Sequence, residues 1–366
     1  MSAVKQNTAI IAASVVGGVT LGSLLVRAAL RPVLRSRATT FIKKMLAEAD
    51  IIVGRDIVVH DEAIFLDWVN RGMLAIGESY MAGKWEAVAP LDDVLTRLLS
   101  LPADSKRKLF KAWNSKLIAL GAHVFNYQSP SRAGIVGAHH YDIGNDFFKL
   151  WLDPHMQYSC AYYKGVDDVM DLDKAQQNKL HLIAQKLKLE PGMRNYGVHV
   201  TGITISNEQL KGAREWAARE GVSHLTSFEY CDYRKMDRQF DRVVSIAMVE
   251  AVGYKNLDEY YNVISRCLKD GGVAVVHAIA ANRSLKRKMV VEDVHNLGPD
   301  YDKTLMCWNA RFQEHVKNGT IVRTDVFKRM WEYYLMYCAA GFRARTIQLC
   351  QVVYSKNRAE RYDAFR

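Results

Sequence analysis

The pattern of apolar and polar positions divides the chain into three parts. Residues 8–26, TAIIAASVVGGVTLGSLLV, contain no charged side chain. Between 40 and 130, apolar residues recur at helical spacing in segments such as FIKKMLAEAD and LDDVLTRLLS, which predicts a mostly helical region. After Ser129-Pro130, short β-branched runs alternate with amphipathic segments. This alternation predicts an α/β domain with a parallel sheet.

Individual elements of the α/β part follow from local signals. The run VHVTGITIS at 198–206 predicts a strand. Ser206 and Gln209, three residues apart, form a capping box that opens a helix. The sequence further predicts strands at 241–248 and 273–280, a tight turn at 270–272, helices at 257–268 and 325–340, and β-rich runs around 342–355.

The uncharged segment at the start of the chain has the length of a membrane span. At about 1.5 Å rise per residue, a helix over 8–26 nearly crosses a hydrocarbon core of about 30 Å. Arginines follow this segment closely, and only Lys5 precedes it, so the positive-inside rule places the body on the cytoplasmic side. We predict a membrane anchor over 1–37. A cleaved mitochondrial transit peptide and a buried N-terminal helix remain alternatives.

Composition and charge narrow the class of protein. Of 366 residues, 49% are hydrophobic and 24% charged, which is typical of a globular protein. Lys and Arg number 50 and Asp and Glu 39, but residues 1–47 contain seven basic residues and no acidic one. The body is therefore only mildly basic, which argues against a nucleic-acid partner. The six cysteines show no metal-ligand spacing, so free thiols in a reduced compartment are expected and no metal site is predicted.

Several segments together resemble the cyclopropane-fatty-acyl-phospholipid synthase family of S-adenosylmethionine-dependent methyltransferases. The segments are GESYMAGKWE (77–86), HYDIGNDFFKLWLDPHMQYSCAYY (140–163), KLKLEPGMR (186–194), VTGITISNEQ (200–209), GPDYDKTLMCW (298–308) and YCAAGFRARTIQLCQVVYS (337–355). The resemblance extends from about residue 50 to the end. It implies a helical lipid-handling domain over 38–130 and a Rossmann-like methyltransferase domain over 131–366.

The implied reaction adds a methylene from S-adenosylmethionine across a cis double bond of a phospholipid acyl chain. The resemblance further implies a bound bicarbonate that removes a proton as the ring closes, and an oxyanion in a dry site needs convergent hydrogen-bond donors. The positions that match the family's bicarbonate site are Cys160, Glu250, His277, Ile279 and Tyr301. Considered singly, a histidine in a run such as VAVVHAIA is more often a satisfied core histidine, and a cysteine such as Cys160 more often a small buried apolar residue.

Six further positions match the family's cofactor-binding residues. Their implied partners run from the methionine end of S-adenosylmethionine, through the ribose, to the adenine. In that order they are Tyr158 and Ser159, Thr204 and Gln209, and Asp232 and Tyr233. Aromatic packing is the alternative role for the two tyrosines, and Thr204 could instead satisfy a nearby backbone group at a strand end.

The chain departs from the family pattern at two places. Arg194 is followed directly by Asn195, where the family has a strand, a D-x-G-x-G-x-G turn and most of a helix. The glycines of that turn let the backbone approach the cofactor closely. The turn also places a helix N-terminus beneath the carboxylate end of the cofactor. The missing strand would be central in the sheet, so its neighbours should re-pair or leave open edges. A second deletion falls near 280–290. A smaller departure is Ala251, where the family usually has histidine.

These departures leave three functional hypotheses. In the first, the chain is a cyclopropane synthase-like transferase, and the sequence leaves open whether the shortened form binds S-adenosylmethionine. In the second, it is a noncatalytic membrane-tethered lipid-binding or regulatory protein. In the third, it is a methyltransferase for another lipid or an amine. Clean borders at both gaps favour a truncated product of an active synthase gene.

Expected partners are a phospholipid with an unsaturated acyl chain and the membrane, and the resemblance allows a homodimer. Two basic clusters could attract anionic headgroups: 106–111 and 283–288.

Overall fold

A computed structural model describes most of the chain. The described residues are 32–102, 104–105, 144–189, 198–280, 289–357 and 360–366. Residues 1–31 of the predicted anchor, both basic clusters and the junction between Arg194 and Asn195 lie outside these ranges. No helix within them is long and apolar enough to cross a membrane. The chain divides into two compact units, 1–116 and 117–366, and the boundary near 130 stays a prediction.

The N-terminal unit combines helices with one small sheet. Its elements are α1 (32–48), β1 (Ile57–Val59), α2 (Ile64–Arg71), α3 (Met73–Met81), β2 (Trp85–Ala87) and α4 (Leu91–Leu99). β1 and β2 pair antiparallel. The mostly helical character predicted for this region is confirmed within the described residues. The two strands were not predicted, because three residues are too few to show a period of two.

Two tryptophans organise the core of the N-terminal unit. The indole N–H of Trp68 donates to Ser79 Oγ at 2.9 Å, and that of Trp85 donates to the carbonyl of Ile76 at 3.0 Å. The two rings meet edge to face, with centroids 5.9 Å apart. The buried indole N–H groups therefore find partners, and these contacts join α2, α3 and β2.

The C-terminal unit is an α/β structure. Its helices are α5 (Asn145–Lys149), α6 (Leu172–Lys186), α7 (Asn207–Arg219), α8 (Val249–Val252), α9 (Leu257–Cys267), α10 (Gly298–Lys317) and α11 (Asp325–Arg343). Its strands are β3 (Val200–Thr204), β4 (Thr226–Tyr230), β5 (Phe240–Ile246), β6 (Leu268–Ala280), β7 (Val290–Asn296) and β8 (Gln348–Ser355).

The strands of this unit form two sheets. β5, β6, β8 and β7 make a four-stranded sheet in that order, with β5 and β6 parallel and the other pairs antiparallel. β3 and β4 form a separate parallel pair. Residues 273–276 of β6 are at most 3% exposed and make the centre of the core. Within the described ranges, β3 and β5 each have one strand partner, and no residue of β3, β4 or β5 is fully buried. Parallel strands are normally covered on both faces, so this side of the unit is unusually open.

Most of the predicted elements of the C-terminal unit are confirmed. Ser206 Oγ accepts from the backbone N–H of Gln209 at 3.3 Å, as the capping box requires. The turn predicted at 270–272 was wrong, because these residues lie within β6. Gly271 has φ +77° there, and the register with β5 shifts between Phe240 and Arg242, so the chain makes a bulge at this point. α10 and β7 were not predicted.

Candidate active site

The carboxyl ends of β5 and β6 bring Glu250 and Ile279 together. After β5 the chain turns at Ala247, a non-glycine residue with φ +50°, and its N–H donates to the carbonyl of His277 at 2.8 Å. This turn starts α8, from which Glu250 Oε1 accepts a hydrogen bond from the backbone N–H of Ile279 at 2.7 Å. Strained backbone is common at functional sites. Surrounding protein raises the pKa of Glu250, although part of its surface is exposed and the bond from Ile279 acts in the opposite direction.

Cys160 lies in a loop that is fixed to the first turns of α10. Its Sγ is fully buried and lies 3.5 Å from the carbonyl of Leu297, to which it donates. The next residue, Ala161, donates its N–H to Thr304 Oγ1 at 3.0 Å. Burial raises the pKa of Cys160 well above its ordinary value, and nearby Asp300 adds to the effect. The thiol therefore stays protonated, which makes a nucleophilic role for Cys160 unfavourable.

Tyr301, in the first turns of α10, lies near both Cys160 and Glu250. Burial raises its pKa well above 10, and the neighbours that raise it further include Cys160 and Glu250. Its hydroxyl is therefore within electrostatic range of both predicted site residues. The ring packs against Phe342 of α11, with centroids 4.7 Å apart. Cys160, Glu250, Ile279 and Tyr301 thus belong to one region, although no side-chain hydrogen bond joins Tyr301 to the others within the described contacts.

Tyr158 forms one wall of this region within a large aromatic cluster. Its hydroxyl donates to Tyr334 Oη at 3.4 Å, and its ring centroid is 5.2 Å from that of Trp308. Burial is the main cause that raises the pKa of Tyr158, and the neighbouring Tyr334 and Tyr301 raise it further. Around these residues the cluster continues through α5, α10 and α11 with Phe147, Phe148, Trp151, Phe312, Phe327 and Trp331. Such a wall excludes water and supplies aromatic faces to a cation.

His277 is fully buried in the middle of the sheet. Its Nδ1 lies 3.1 Å from Nε2 of Gln351 on β8, and Nε2 of the imidazole has no hydrogen-bond partner. Burial lowers the pKa of His277 to about 3, and the charges of Lys179 and Lys186 contribute. The imidazole is therefore neutral at physiological pH. One nitrogen remains available to a small polar group.

Ser159, Thr204 and Gln209 lie in two separate local arrangements. Ser159 is buried, and its Oγ accepts from Lys179 Nζ at 3.0 Å. At the carboxyl end of β3, Thr204 Oγ1 donates to Gln209 Oε1 at 2.7 Å and accepts from the N–H of Ser206 at 3.0 Å. Thr204 thus satisfies a backbone group, as the alternative role anticipated, and also orients Gln209.

Asp232 and Tyr233 follow β4 and contact the rest of the unit through α9. The Asp232 carboxylate accepts two hydrogen bonds from the Arg234 guanidinium, at 2.9 and 2.5 Å, and Arg234 lowers its pKa. The ring of Tyr233 lies 5.8 Å from that of Tyr260, whose hydroxyl donates to Ser245 Oγ of β5 at 2.7 Å. Tyr260 therefore connects the β4 end to β5.

Sequence reasoning missed two polar residues beneath this site, Gln176 and Lys179 of α6. Both are 0% exposed, which is rare for lysine. They are three residues apart on the helix face that also carries buried Leu172 and Ala175. A lysine at an otherwise apolar helix position was the available signal.

The described residues fit one part of S-adenosylmethionine. Thr204 and Asp232 stand at the carboxyl ends of adjacent parallel strands, where open α/β sheets bind ligands. Asp232 is ionised and able to accept from ribose hydroxyls. Within the described ranges, no glycine-rich turn opens a helix where the carboxylate end would bind. The fit is therefore to the adenosine end.

Comparison with known proteins identifies relatives of this chain. The family model for mycolic acid cyclopropane synthetase matches residues 128–290 and 280–352. The cyclopropane-fatty-acyl-phospholipid synthase of Escherichia coli strain K12 is 39% identical over 361 residues, covering 86% of this chain and 92% of that protein. The tuberculostearic acid methyltransferase UfaA1 of Mycobacterium tuberculosis is 29% identical, covering 77% of this chain and 78% of that protein.

Solved structures also resemble this chain. Mycolic acid cyclopropane synthase CmaA1, complexed with SAH and CTAB, is 26% identical with a TM-score of 0.55, covering 60% of this chain and 97% of that one. Coclaurine N-methyltransferase has a TM-score of 0.57 at 14% identity over 78% of this chain and 99% of that one, which shows the fold alone. The predicted α/β methyltransferase fold is thus confirmed, and this chain belongs to the mycolic acid cyclopropane synthetase family.

Proposed function

We propose that this chain is a transferase of the cyclopropane-fatty-acyl-phospholipid synthase type. Its substrate is an unsaturated acyl chain of a phospholipid, and its product carries a methylene across the former cis double bond. The observation that carries this proposal is the 39% identity to the Escherichia coli synthase over 92% of that enzyme's length. Membrane attachment through residues 8–26, with the body on the cytoplasmic side, and a homodimer are parts of the same proposal.

The residues of the site have defined parts in this reaction. S-adenosylmethionine supplies an electrophilic methyl group when bound. The aromatic cluster around Tyr158 and Trp308 keeps water from the reacting carbons, since a carbocation formed from an alkene would otherwise be hydrated. Glu250 is held by the Ile279 N–H. With the Tyr301 hydroxyl and the neutral His277, it forms a polar rim that would orient a bicarbonate ion.

Two measurements test this proposal. Lipids from a host that expresses the full chain should gain one CH₂ with loss of one double bond, measured by mass spectrometry, and the Glu250→Ala variant should not produce this change. A CH₂ gain with the double bond retained would point to another acceptor. Calorimetric titration with S-adenosylmethionine should give heat. No heat at millimolar ligand, together with unchanged lipids, would overturn the enzymatic proposal.

A second candidate is a noncatalytic, membrane-tethered lipid-binding or regulatory protein. The observation that favours it is the open side of the C-terminal unit, where β3 and β5 each have a single strand partner within the described ranges. The alignment to the Escherichia coli enzyme also supports this second candidate. It extends over 361 positions but includes only 86% of this chain of 366 residues. Some positions of that enzyme therefore have no counterpart here.

Insertion of the absent segment separates the two candidates. A chain with a strand and a D-x-G-x-G-x-G turn between Arg194 and Asn195 should bind S-adenosylmethionine and modify lipids. If the extended chain is active and the present chain is silent, the present chain is the noncatalytic form. Sedimentation with vesicles then tests lipid binding, which should be stronger for anionic than for neutral vesicles. Equal binding to both would contradict an electrostatic role for the basic clusters.

A further inference from the structure

Lys179 is a buried cation beneath the candidate site. Its side chain is 0% exposed, and Nζ donates to Ser159 Oγ at 3.0 Å and to the side-chain oxygen of Gln157. Among the described residues, no carboxylate oxygen lies within ion-pair distance of Nζ, while the buried side chain of Asp153 acts from a longer distance and raises the pKa of Lys179. A buried ammonium without a direct carboxylate partner is costly. Its position therefore calls for a reason beyond stability.

Gln176, one turn earlier on α6, binds the same loop. Its Nε2 donates to the carbonyl of Gln157 at 3.2 Å and to the carbonyl of Ser159 at 2.9 Å. Together, Gln176 and Lys179 hold the residues on both sides of Tyr158. The backbone of this segment continues into Cys160, so α6 fixes the loop that carries three predicted site residues.

The predicted bicarbonate site contains no cation of its own. His277 is neutral, since its pKa is lowered to about 3 by burial. The thiol of Cys160 and the carboxyl group of Glu250 cannot carry a positive charge in either protonation state. Burial lowers the pKa of Lys179 only to about 8, so it remains mostly protonated at neutral pH. An anion in a dry site requires such a compensating charge.

Lys179 acts on the residues that face this site. Its charge lowers the pKa of both Cys160 and His277, which places it within electrostatic range of the two. Three buried polar atoms of His277 and of residues on α6 and β8 have no hydrogen-bond partner within the described part of the chain: His277 Nε2, Gln176 Oε1 and Gln351 Oε1. Unpaired buried atoms of this kind are usually satisfied by water or a small ligand.

We propose that Lys179 is a positioning residue with two effects: with Gln176 it fixes the Gln157–Cys160 loop, and it supplies the positive charge that makes the surroundings of Cys160 and His277 selective for a small oxyanion. This inference rests on the proposed function, because the oxyanion is the bicarbonate of that reaction. It adds a residue outside the five that match the family's site.

The test uses the thermal unfolding of the full chain at constant pH with added bicarbonate. Sodium chloride at equal ionic strength serves as the control anion, and nitrate serves as a second planar oxyanion. The wild-type melting temperature should rise with bicarbonate and saturate. Lys179→Gln keeps a side-chain donor for Ser159 and removes the charge. Its half-saturating bicarbonate concentration should be about tenfold higher or more, since the variant loses the positive charge that attracts the anion in surroundings of low dielectric constant.

The matched control is Lys174→Met, which removes an exposed lysine from the same helix and should leave the bicarbonate response unchanged. An unchanged response in Lys179→Gln, or an equal loss in Lys174→Met, would overturn the inference. If Lys179→Gln does not fold, Lys179→Arg decides, because it keeps the charge. Retained saturation in this variant supports the inference, and lost saturation overturns it.

The wild-type protein separates this inference from the proposed function. Lipid conversion by the wild type together with an unchanged bicarbonate response in Lys179→Gln would remove the inference alone. A wild type that neither converts lipid nor responds to bicarbonate would remove both.

Discussion

The backbone N–H of Ile279 donates to Glu250 Oε1 at 2.7 Å, and this bond joins the carboxyl ends of the parallel strands β5 and β6. Glu250 comes from the short helix after β5, while Ile279 is near the end of β6. The acidic side chain is therefore held in position by the sheet itself.

Replacement of Glu250 tests the strength of this link. Glu250→Ala should lower the free energy of unfolding by about 1 kcal/mol, the usual net worth of one hydrogen bond. Glu250→Gln should lose less, because its amide oxygen can accept from the same N–H. Urea unfolding measures both values. A loss in Glu250→Gln as large as that in Glu250→Ala would show that the carboxylate charge, and not the acceptor, matters.

Truncation of Trp308 in the aromatic cluster should be costly to stability. This residue is 1% exposed and contacts the rings of Trp151, Tyr158 and Tyr301. Trp308→Ala should lower the free energy of unfolding by about 3 to 5 kcal/mol through lost packing and the cavity it leaves. Val322→Ala, at a side chain 86% exposed, should change it by less than about 0.5 kcal/mol. Denaturant unfolding compares them, and similar losses at both positions would contradict the packing shown.

The buried His277 should make the protein sensitive to acid. The unfolded chain protonates this imidazole below a pH of about 6.5, whereas its folded pKa is about 3. The unfolded state therefore binds the extra proton between these values, and stability falls as the pH drops through this window. The unfolding free energy of the wild type, relative to His277→Gln, should be constant above pH 6.5. Below it, that difference should decline by up to about 1.4 kcal/mol per pH unit.

The control for this pH profile is His181→Gln, at an exposed histidine of α6. Its unfolding free energy should differ from that of the wild type by less than about 0.5 kcal/mol, because the substitution is at the surface and leaves His277 in place. Urea unfolding from pH 4 to 8 provides the data. A flat profile for His277→Gln relative to the wild type would mean that the imidazole reaches solvent.

An ion pair within the core should contribute far more than an exposed one. Lys186 Nζ is 3.7 Å from Asp293 Oδ2, with side chains 0% and 6% exposed, and Arg366 binds the same carboxylate through two nitrogens at 2.6 and 2.5 Å. Asp293→Ala should cost about 3 to 5 kcal/mol, because it leaves a buried charge unpaired. Asp241→Ala breaks the exposed pair with Lys269 and should cost less than about 1 kcal/mol. Equal costs in urea unfolding would refute the distinction.

The sequence predicted those parts of the fold that depend on local signals. Ser206 and Gln209 are three residues apart, so their capping contact is visible in the sequence itself. Glu250 follows one predicted strand and His277 lies within another, so the pattern allows these two residues to converge. The bond from the Ile279 N–H to Glu250 depends on the register of β5 with β6, which local pattern does not specify.

Contacts between distant segments were beyond such reasoning. Tyr158 and Trp308 are far apart in the sequence and meet only because α10 packs against the preceding loop. The two buried side chains of α6 were missed for a related reason. Lysine and glutamine are ordinarily solvated, and the carbonyls that bind Gln176 belong to a loop with no periodic pattern.

The open side of the C-terminal unit also affects how copies of the protein behave towards each other. Within the described ranges, β3 and β5 each leave one row of backbone N–H and C=O groups without a strand partner. Such a row can pair with any extended chain that approaches it. Self-association should therefore increase with protein concentration. The fraction of monomer in solution would then depend on dilution as much as on folding.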